Sequence, residues 1–336
     1  VPNLKGHNGG DTWNVIQSSL ENEGYLVDEK IISPDQFGVP QQRKRIYIIG
    51  VHKKFKLNKI EFPKVSLNPD VNISDYLEKG PVEDIPLKKE TLDQIIHWQK
   101  FVEKIISLGK DIPRFPVWSM EFGATYPYLD KATNGYTVNQ LNHCKGKYGI
   151  QINAENQKEL EKFLPKYSLS SQDVFPKWKK SYIGSNRDFY SDNKEWIEDW
   201  KKSLFSWKLS HQKFEWNCGP DANPSFKDKI IQFRPSGIRV KNMDRFPALV
   251  LSITQVPIIY DKHKRGGAGF RYITKREAAN LQSMPVENFQ ILSNNVSAYK
   301  AFGNAVNIKV VEAVVNSVIK NSSRTEIKVE IELNEK

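Results

Sequence analysis

The stretch Arg271–Lys320, RYITKREAANLQSMPVENFQILSNNVSAYKAFGNAVNIKVVEAVVNSVIK, decides how the rest of the chain is read. It holds two helical patterns joined by a turn at Gly303-Asn304. Thr274 is placed to cap a helix over Lys275–Ser283, Glu277 completes a capping box, and Pro285 follows the helix end. Asn304, or the turn around it, opens a final helix with Ile308, Val311, Val315 and Val318 at helical spacing. Burial of such side chains is worth roughly 1.5–3 kcal/mol each, so this face is expected to dock on a partner surface and to be left partly bare. The polar tail after Lys320 is expected to fray.

Outward from that stretch, Lys262–Gly269 (KHKRGGAG) reads as a flexible, basic connector. Gln232–Val250 (QFRPSGIRVKNMDRFPALV) reads as short strands and turns. The long middle, Val51–Gly269, is rich in aromatics, Pro and Lys. Two helices are expected there. Glu90–Leu108 clusters Leu92, Ile95, Ile96, Val102, Ile105 and Ile106 on one face. Asp188–Trp207 spaces Trp196, Trp200 and Leu204 by four, which marks core packing rather than a base-stacking platform. At the other end, Val1–Gly10 reads as a loop. Asp11 can cap a helix through Thr12–Glu23 that Gly24 stops, and the strand Tyr25–Ile32, the loop Ser33–Pro40 and a buried strand Arg45–Gly50 follow. This order looks like the trailing part of an α/β sheet, too small to bury both of its faces.

Composition bounds the function. The chain has 336 residues, 39% hydrophobic and 26% charged, a globular balance. It shows no apolar run of the roughly 18 residues a membrane helix needs and no signal-peptide pattern, so a cytoplasmic, non-membrane protein is expected. Cys144 and Cys218 cannot make a disulfide framework, and neither has metal-ligand spacing to His or Cys, so no metal is expected. The net charge of +11 is uneven: −1 over residues 1–50, +2 over 270–336 and +10 in between. A basic middle between near-neutral ends suits a polyanion, although a lysine-rich surface kept for solubility has the same composition.

Three motifs in order carry more than composition. Gln41-x-Arg43-x-Arg45 immediately precedes a strand, and arginine's planar fork suits phosphate oxygens and base carbonyls. Taken locally it is also an ordinary surface turn. In its context, FGVPQQRKRIYIIG resembles the motif of DNA cytosine-5 methyltransferases in which Gln-x-Arg-x-Arg lies beside the flipped target cytosine. Arg271–Pro285 resembles the family's Arg-x-Leu-Thr-x-Arg-Glu-Ala-Ala-Arg-Leu-Gln-Gly-Phe-Pro. Here Ile273 stands for Leu, Asn280 for the second Arg, and Ser283-Met284 for Gly-Phe. Tyr299-Lys300-x-x-Gly303-Asn304-Ala305-Val306 resembles the last motif, which completes the S-adenosyl-L-methionine pocket, with Asn307 where many relatives have Pro.

The resemblance implies the C-terminal part of a bacterial DNA (cytosine-5) methyltransferase of a restriction–modification system. The implied fold is α/β: the trailing part of a Rossmann-like methyltransferase sheet with a large, irregular target-recognition domain inserted. Residues 1–50 would belong to the catalytic domain, 51–269 to the recognition domain, and 270–336 to the return to the catalytic domain. Gln41, Arg43 and Arg45 would form the target-cytosine pocket, and Asn304, Ala305 and Val306 would meet S-adenosyl-L-methionine. Arg234, Arg239 and Lys241, with Arg245 nearby, sit where recognition domains contact double-stranded DNA. The family's enzymes flip the cytosine out, attack C6 with a Cys thiolate assisted by a Glu at N3, and methylate C5.

The Pro-Cys-Gln nucleophile, the Glu of Glu-Asn-Val and the N-terminal Gly-rich cofactor loop are absent, and Val1 stands where the Val of Glu-Asn-Val would be. The expected partner is therefore a missing N-terminal catalytic half, on the same polypeptide or a separate subunit, without which the chain is inactive. A non-catalytic DNA-binding remnant is the alternative. A tRNA-directed relative fits less well, because the 219-residue middle is long for one.

Overall fold

The computed structural model describes residues 2–321 except 56, 58, 67–70, 81, 83–84, 222–223, 251, 264–266, 286 and 288–289. The tail beyond Asn321 and the centre of the 262–269 connector thus lie outside the described residues. In chain order the regular elements are α1 Asp11–Asn22, β1 Tyr25–Ile32, β2 Gln41–Gln42, β3 Arg45–His52, α2 Lys89–Ser107, β4 Val117–Trp118, α3 Val138–Asn142, α4 Leu160–Phe163, α5 Lys177–Ser191 and α6 Lys194–Trp200. There follow β5 Lys213–Asn217, β6 Lys229–Arg234, β7 Gly237–Asn242, β8 Phe246–Pro247, β9 Ile258–Tyr260, β10 Phe270–Tyr272, α7 Lys275–Asn280, α8 Asn295–Asn304 and α9 Ile308–Asn321. The fold is mixed α/β. It divides into two compact units: residues 1–85, 243–257 and 271–336, and residues 86–242 and 258–270.

The first unit is built on β1 and β3, which pair antiparallel from Tyr25↔His52 to Ile32↔Arg45. Gly24, at φ 86, lets the chain leave α1 and enter β1 directly. Alternation along the strands puts Leu26, Ile32, Tyr47, Ile49 and Val51 on one face, where they meet Ile60, Val310 and Val314. This packing keeps residues 51–85 with the first unit, although their composition resembles that of the middle. The opposite face is only partly covered: Ile31 and Ile48 are 40% and 39% exposed, so β3 is not the fully buried strand its apolar run suggested. A short parallel pairing of β2 with β8 brings Gln41 beside Phe246.

The C-terminal stretch makes three helices rather than two. Thr274 caps α7 through the expected capping box with Glu277. The helix ends at Asn280, and Ser283 takes φ 56, a left-handed conformation that explains why glycine suits this position. Gly303 and Asn304 close α8 instead of opening the final helix. Asn307 opens it instead. Its Oδ1 accepts from the Val310 amide at 3.2 Å, and its Nδ2 donates to the Leu281 carbonyl at 3.1 Å. A proline here could do neither. The docked face of α9 is also one position off the expectation. Val310 and Val314 are buried with Val318 packed beside them, while Ile308, Val311 and Val315 are 42%, 39% and 48% exposed.

The second unit holds a mixed sheet in the order β9-β6-β7-β5-β4, with Phe270 of β10 at its β9 edge. β6 and β7 form an antiparallel hairpin, and β5 lies parallel to β7. Phe214 stacks on Trp98 of α2 with ring centroids 4.7 Å apart. Trp98 in turn meets Phe101 and Trp200, so the Trp-rich helical segment is core as expected. That segment is broken between α5 and α6, where Asn193 turns its side chain back to the Phe189 carbonyl.

Candidate functional site

In the first unit the connection from β1 into β3 carries Gln41 on β2, Arg43 just after it and Arg45 as the first residue of β3. Its entry is a short 3-10 turn, Pro34–Phe37, closed by a reciprocal Ser33–Gln36 capping box. The Ser33 hydroxyl also accepts the Arg43 amide at 3.0 Å. The Arg43 side chain is buried, and three carbonyls take its terminal nitrogens: Leu249 at 2.9 Å through Nη1, and Gly303 and Ala305 at 2.7 and 2.8 Å through Nη2. Desolvation, then the charge of Arg45, pulls its pKa down to about 10, so it stays charged at neutral pH. Gln41 is fully buried and accepts at 3.3 Å from the Gln282 side-chain amide. Arg45 is partly exposed and donates to the Lys44 carbonyl at 2.8 Å. Of the three, Arg45 is the least buried, while Arg43 ties the loop to the end of α8.

That end presents Asn304 and Val306 to solvent, with Val306 47% exposed. The Ala305 amide closes the helix on the Ala301 carbonyl at 2.9 Å, and its own carbonyl is held by Arg43. An exposed carboxamide next to an exposed isopropyl group can form one polar and apolar wall of a ligand site.

In the second unit, strand alternation separates two sheet faces. Phe214, Trp216, Ile231, Phe233, Ile238 and Val240 turn to the core. The other face carries Lys213, Glu215 and Asn217 on β5, Arg239 and Lys241 on β7, and Ile230, Gln232 and Arg234 on β6, where Ile230 and Gln232 are buried. Four cations share this face with one carboxylate. Glu215 is the hub: one oxygen lies 2.7 Å from Arg234 Nη2, and the other accepts from Arg239 Nε and Nη2 at 3.0 and 2.9 Å. The Arg239 side chain is the more open of the two arginines, 32% exposed against 16% for Arg234. Desolvation lowers the pKa of Arg234 and Glu215 counters it. Lys213 lies 5.1 and 4.6 Å from the Trp118 and Tyr167 ring centroids, and its burial lowers its pKa.

The hairpin joining Arg234 to Arg239 depends on Gly237. At φ 145, a Cβ there would lie 3.0 Å from the Lys213 Cβ and 3.1 Å from its carbonyl oxygen. Arg245, grouped with these arginines by sequence, lies in the first unit and pairs with Asp35 at 3.1 Å. Sequence reading missed Glu215 and Lys213. The period-two alternation of KFEWN was legible, but not its pairing with GIRVKN, which lies across an intervening strand. Among the described residues no group of three His, Cys, Asp or Glu could hold a metal, and no helix is long and apolar enough to cross a membrane.

Comparison with known proteins gives the geometry a context. The profile described as C-5 cytosine-specific DNA methylase matches residues 1–320. Type II methyltransferase M.BanI of Aneurinibacillus aneurinilyticus is 28% identical over 353 aligned residues, covering 96% of this chain and 70% of that protein. Type II methyltransferase M.AluI of Cellulosimicrobium cellulans is 33% identical over 153 residues, 44% of this chain. The matched region spans 27% of the length of M.AluI and 42% of that of M.HaeII from Haemophilus aegyptius. The S. pombe Dnmt2 methyltransferase structure aligns over 94% of this chain and 64% of that chain at 14% identity, with a TM-score of 0.39.

Proposed function

Because this chain belongs to the C-5 cytosine-specific DNA methylase family, we propose that it supplies the target-base loop and the DNA-recognition unit of a restriction–modification cytosine-5 methyltransferase. The observation that carries this reading is the tie of Arg43 to Gly303 and Ala305. It joins the loop bearing Arg45 to the turn bearing Asn304 and Val306, two motifs that the family uses at one site. Arg45 would hold the flipped cytosine, and Arg43 would fix the loop rather than touch the base. The basic sheet face of the second unit would lie on double-stranded DNA and read its sequence.

The family implies S-adenosyl-L-methionine, and the residues present fit one wall of it, Asn304 and Val306. When bound, that group supplies an electrophilic methyl. Cys144 and Cys218 stand in His-Cys-Lys and Asn-Cys-Gly contexts, not in Pro-Cys-Gln. The nucleophile would therefore come from a further catalytic segment. The first unit has two bare apolar surfaces where such a segment would pack, one at Ile31 and Ile48 on the open sheet face and one at Ile308, Val311 and Val315 on α9.

The test is methyl transfer from labelled S-adenosyl-L-methionine to duplex DNA, by the chain alone and with a co-expressed segment carrying Pro-Cys-Gln and Glu-Asn-Val. The expected result is no 5-methylcytosine from the chain alone and sequence-specific 5-methylcytosine from the pair. A pair that binds DNA but never methylates it would favour a DNA-binding remnant, and methylation of tRNA instead of DNA would overturn the substrate.

A further inference from the structure

The basic face of the second unit contains a more specific device than a patch of positive charge. A guanidinium has five N–H donors arranged along two usable edges: Nε with Nη2 on the side, and Nη1 with Nη2 at the end. Glu215 occupies the side edge of Arg239, both bonds going to one carboxylate oxygen. The other oxygen is ion-paired to Arg234 Nη2 at 2.7 Å, so the carboxylate is attracted from two directions. The strands reinforce this arrangement, because Glu215 and Arg239 are register partners on adjacent parallel strands. Gln232, buried on β6, stands opposite Arg239 on its other flank. Side-chain freedom is thus reduced in Arg239 before any ligand arrives, while its Nη1 has no hydrogen-bond partner among the described residues and about one third of its side-chain surface is exposed.

We infer that Glu215 is a positioning residue that aims the end edge of Arg239 at O6 and N7 of a guanine in the major groove, making that guanine an obligatory base of the recognition sequence. Two parallel donors with fixed spacing match the two acceptors of guanine and of no other base. Phosphate would accept the same fork, but a phosphate contact gains little from a rigid aim and carries no sequence information. Arg234, half as exposed as Arg239 and held by the same carboxylate, serves as the second anchor of Glu215. The triad keeps a net charge of +1, so it still attracts DNA while the carboxylate holds the reader in place.

This inference rests on the reading of the second unit as a DNA-recognition unit, and one experiment separates the two. The full chain and its variants select from a library of randomised duplexes, and the bound sequences are read. Wild type is expected to enrich a motif with an invariant guanine. Arg239→Ala and Glu215→Gln should lose the preference for that one guanine by roughly 5- to 150-fold while the other positions of the motif persist. Glu215→Asp should keep part of it. Replacing that guanine with 7-deazaguanine, which lacks N7, should weaken wild type and leave Arg239→Ala unaffected. Arg239→Lys, which keeps charge and fold, should bind DNA without the preference.

An unchanged motif in Arg239→Ala, or weakening that is uniform across all sequences, overturns the guanine assignment alone. The uniform result identifies a phosphate contact. A wild-type chain that enriches no motif overturns the recognition reading, and the inference with it.

Discussion

Arg43 and Gly303, 260 residues apart in the chain, are joined by a 2.7 Å hydrogen bond from the Arg43 Nη2 to the Gly303 carbonyl. The same guanidinium holds Ala305 and Leu249, so one buried side chain satisfies three backbone acceptors from two distant segments. Helix ends leave carbonyls without partners, and burying them unpaired is costly. Arg43 solves that problem for α8 and, in doing so, fixes the loop that carries Arg45.

Arg43→Ala should therefore destabilise the chain by about 3 kcal/mol, since it strands the buried Leu249 carbonyl and the half-buried Gly303 and Ala305 carbonyls as well as removing charged hydrogen bonds. Arg43→Lys should recover little, because a single ammonium cannot reproduce the planar fork. Urea unfolding checks this, the expected signature being a lower midpoint at unchanged slope. A midpoint within error of wild type would show that the clamp is dispensable.

The pair Arg271–Glu277 is the second buried anchor of the first unit, with bonds of 2.8 Å on each arm and 2% and 0% side-chain exposure. Glu277 also accepts from the Thr274 and Glu78 amides at 2.7 and 3.0 Å. Glu277→Ala leaves a buried, uncompensated guanidinium and should cost roughly 3–5 kcal/mol. Thr274→Ala removes the cap and the hydroxyl's bond to the Glu78 carboxylate and should cost roughly 1–2 kcal/mol. Denaturant melts of the two variants, compared side by side, test that ordering.

The register of α9 makes a contrast that the sequence alone would reverse. Val310→Ala and Val314→Ala should each cost roughly 1–2 kcal/mol. Val311→Lys, on the bare stripe, should stay within about 0.5 kcal/mol in the chain alone. On the proposed function, the same Val311→Lys should impair assembly with a co-expressed segment carrying Pro-Cys-Gln, measured by co-purification. Equal destabilisation by Val310→Ala and Val311→Lys would contradict the docked face.

Acid should weaken the second unit through His97. Desolvation in its aromatic site against Trp200 and Trp207 pulls its pKa down to about 4, below the ordinary value of 6.5. Between those values the unfolded chain binds the proton and the folded chain does not. Stability contributed by the neutral ring is thus complete above pH 6.5 and is lost as pH falls toward 4. His211, lowered chiefly by burial, acts in the same direction. Unfolding midpoints measured from about pH 7.5 to about 4.5 should fall, and His97→Gln should flatten that slope.

Binding to duplex DNA should weaken with salt along a log–log slope of about −0.9 per phosphate neutralised. The more open cations of the β5–β7 face set the expectation, so Arg239→Ala or Lys241→Ala should make the slope shallower. A slope near zero in the wild-type chain would remove the electrostatic case for this face.

Much of the first unit was legible before any coordinates. Tyr25–Ile32 alternates and ends in turn chemistry, and Thr274 with Glu277 spells a capping box, because these signals depend on neighbours within four residues. Helix faces were less legible. Val310 and Val311 are the same residue type one position apart, and only packing against the cluster that holds Ile49 and Ile32 decides which is buried. The Asp188–Trp207 periodicity likewise ran through a break that Asn193 makes by folding back on α5.

The sequence by itself determined the family, the order of its motifs and the basic character of the middle, because each is written in local residue types. The tertiary structure decided what each of three arginines is bonded to. Arg43, Arg234 and Arg239 are chemically identical, and they differ in which part of the guanidinium a distant carbonyl or carboxylate has already taken. That allocation is set by strand pairing and helix ends many residues away, and no local pattern encodes it.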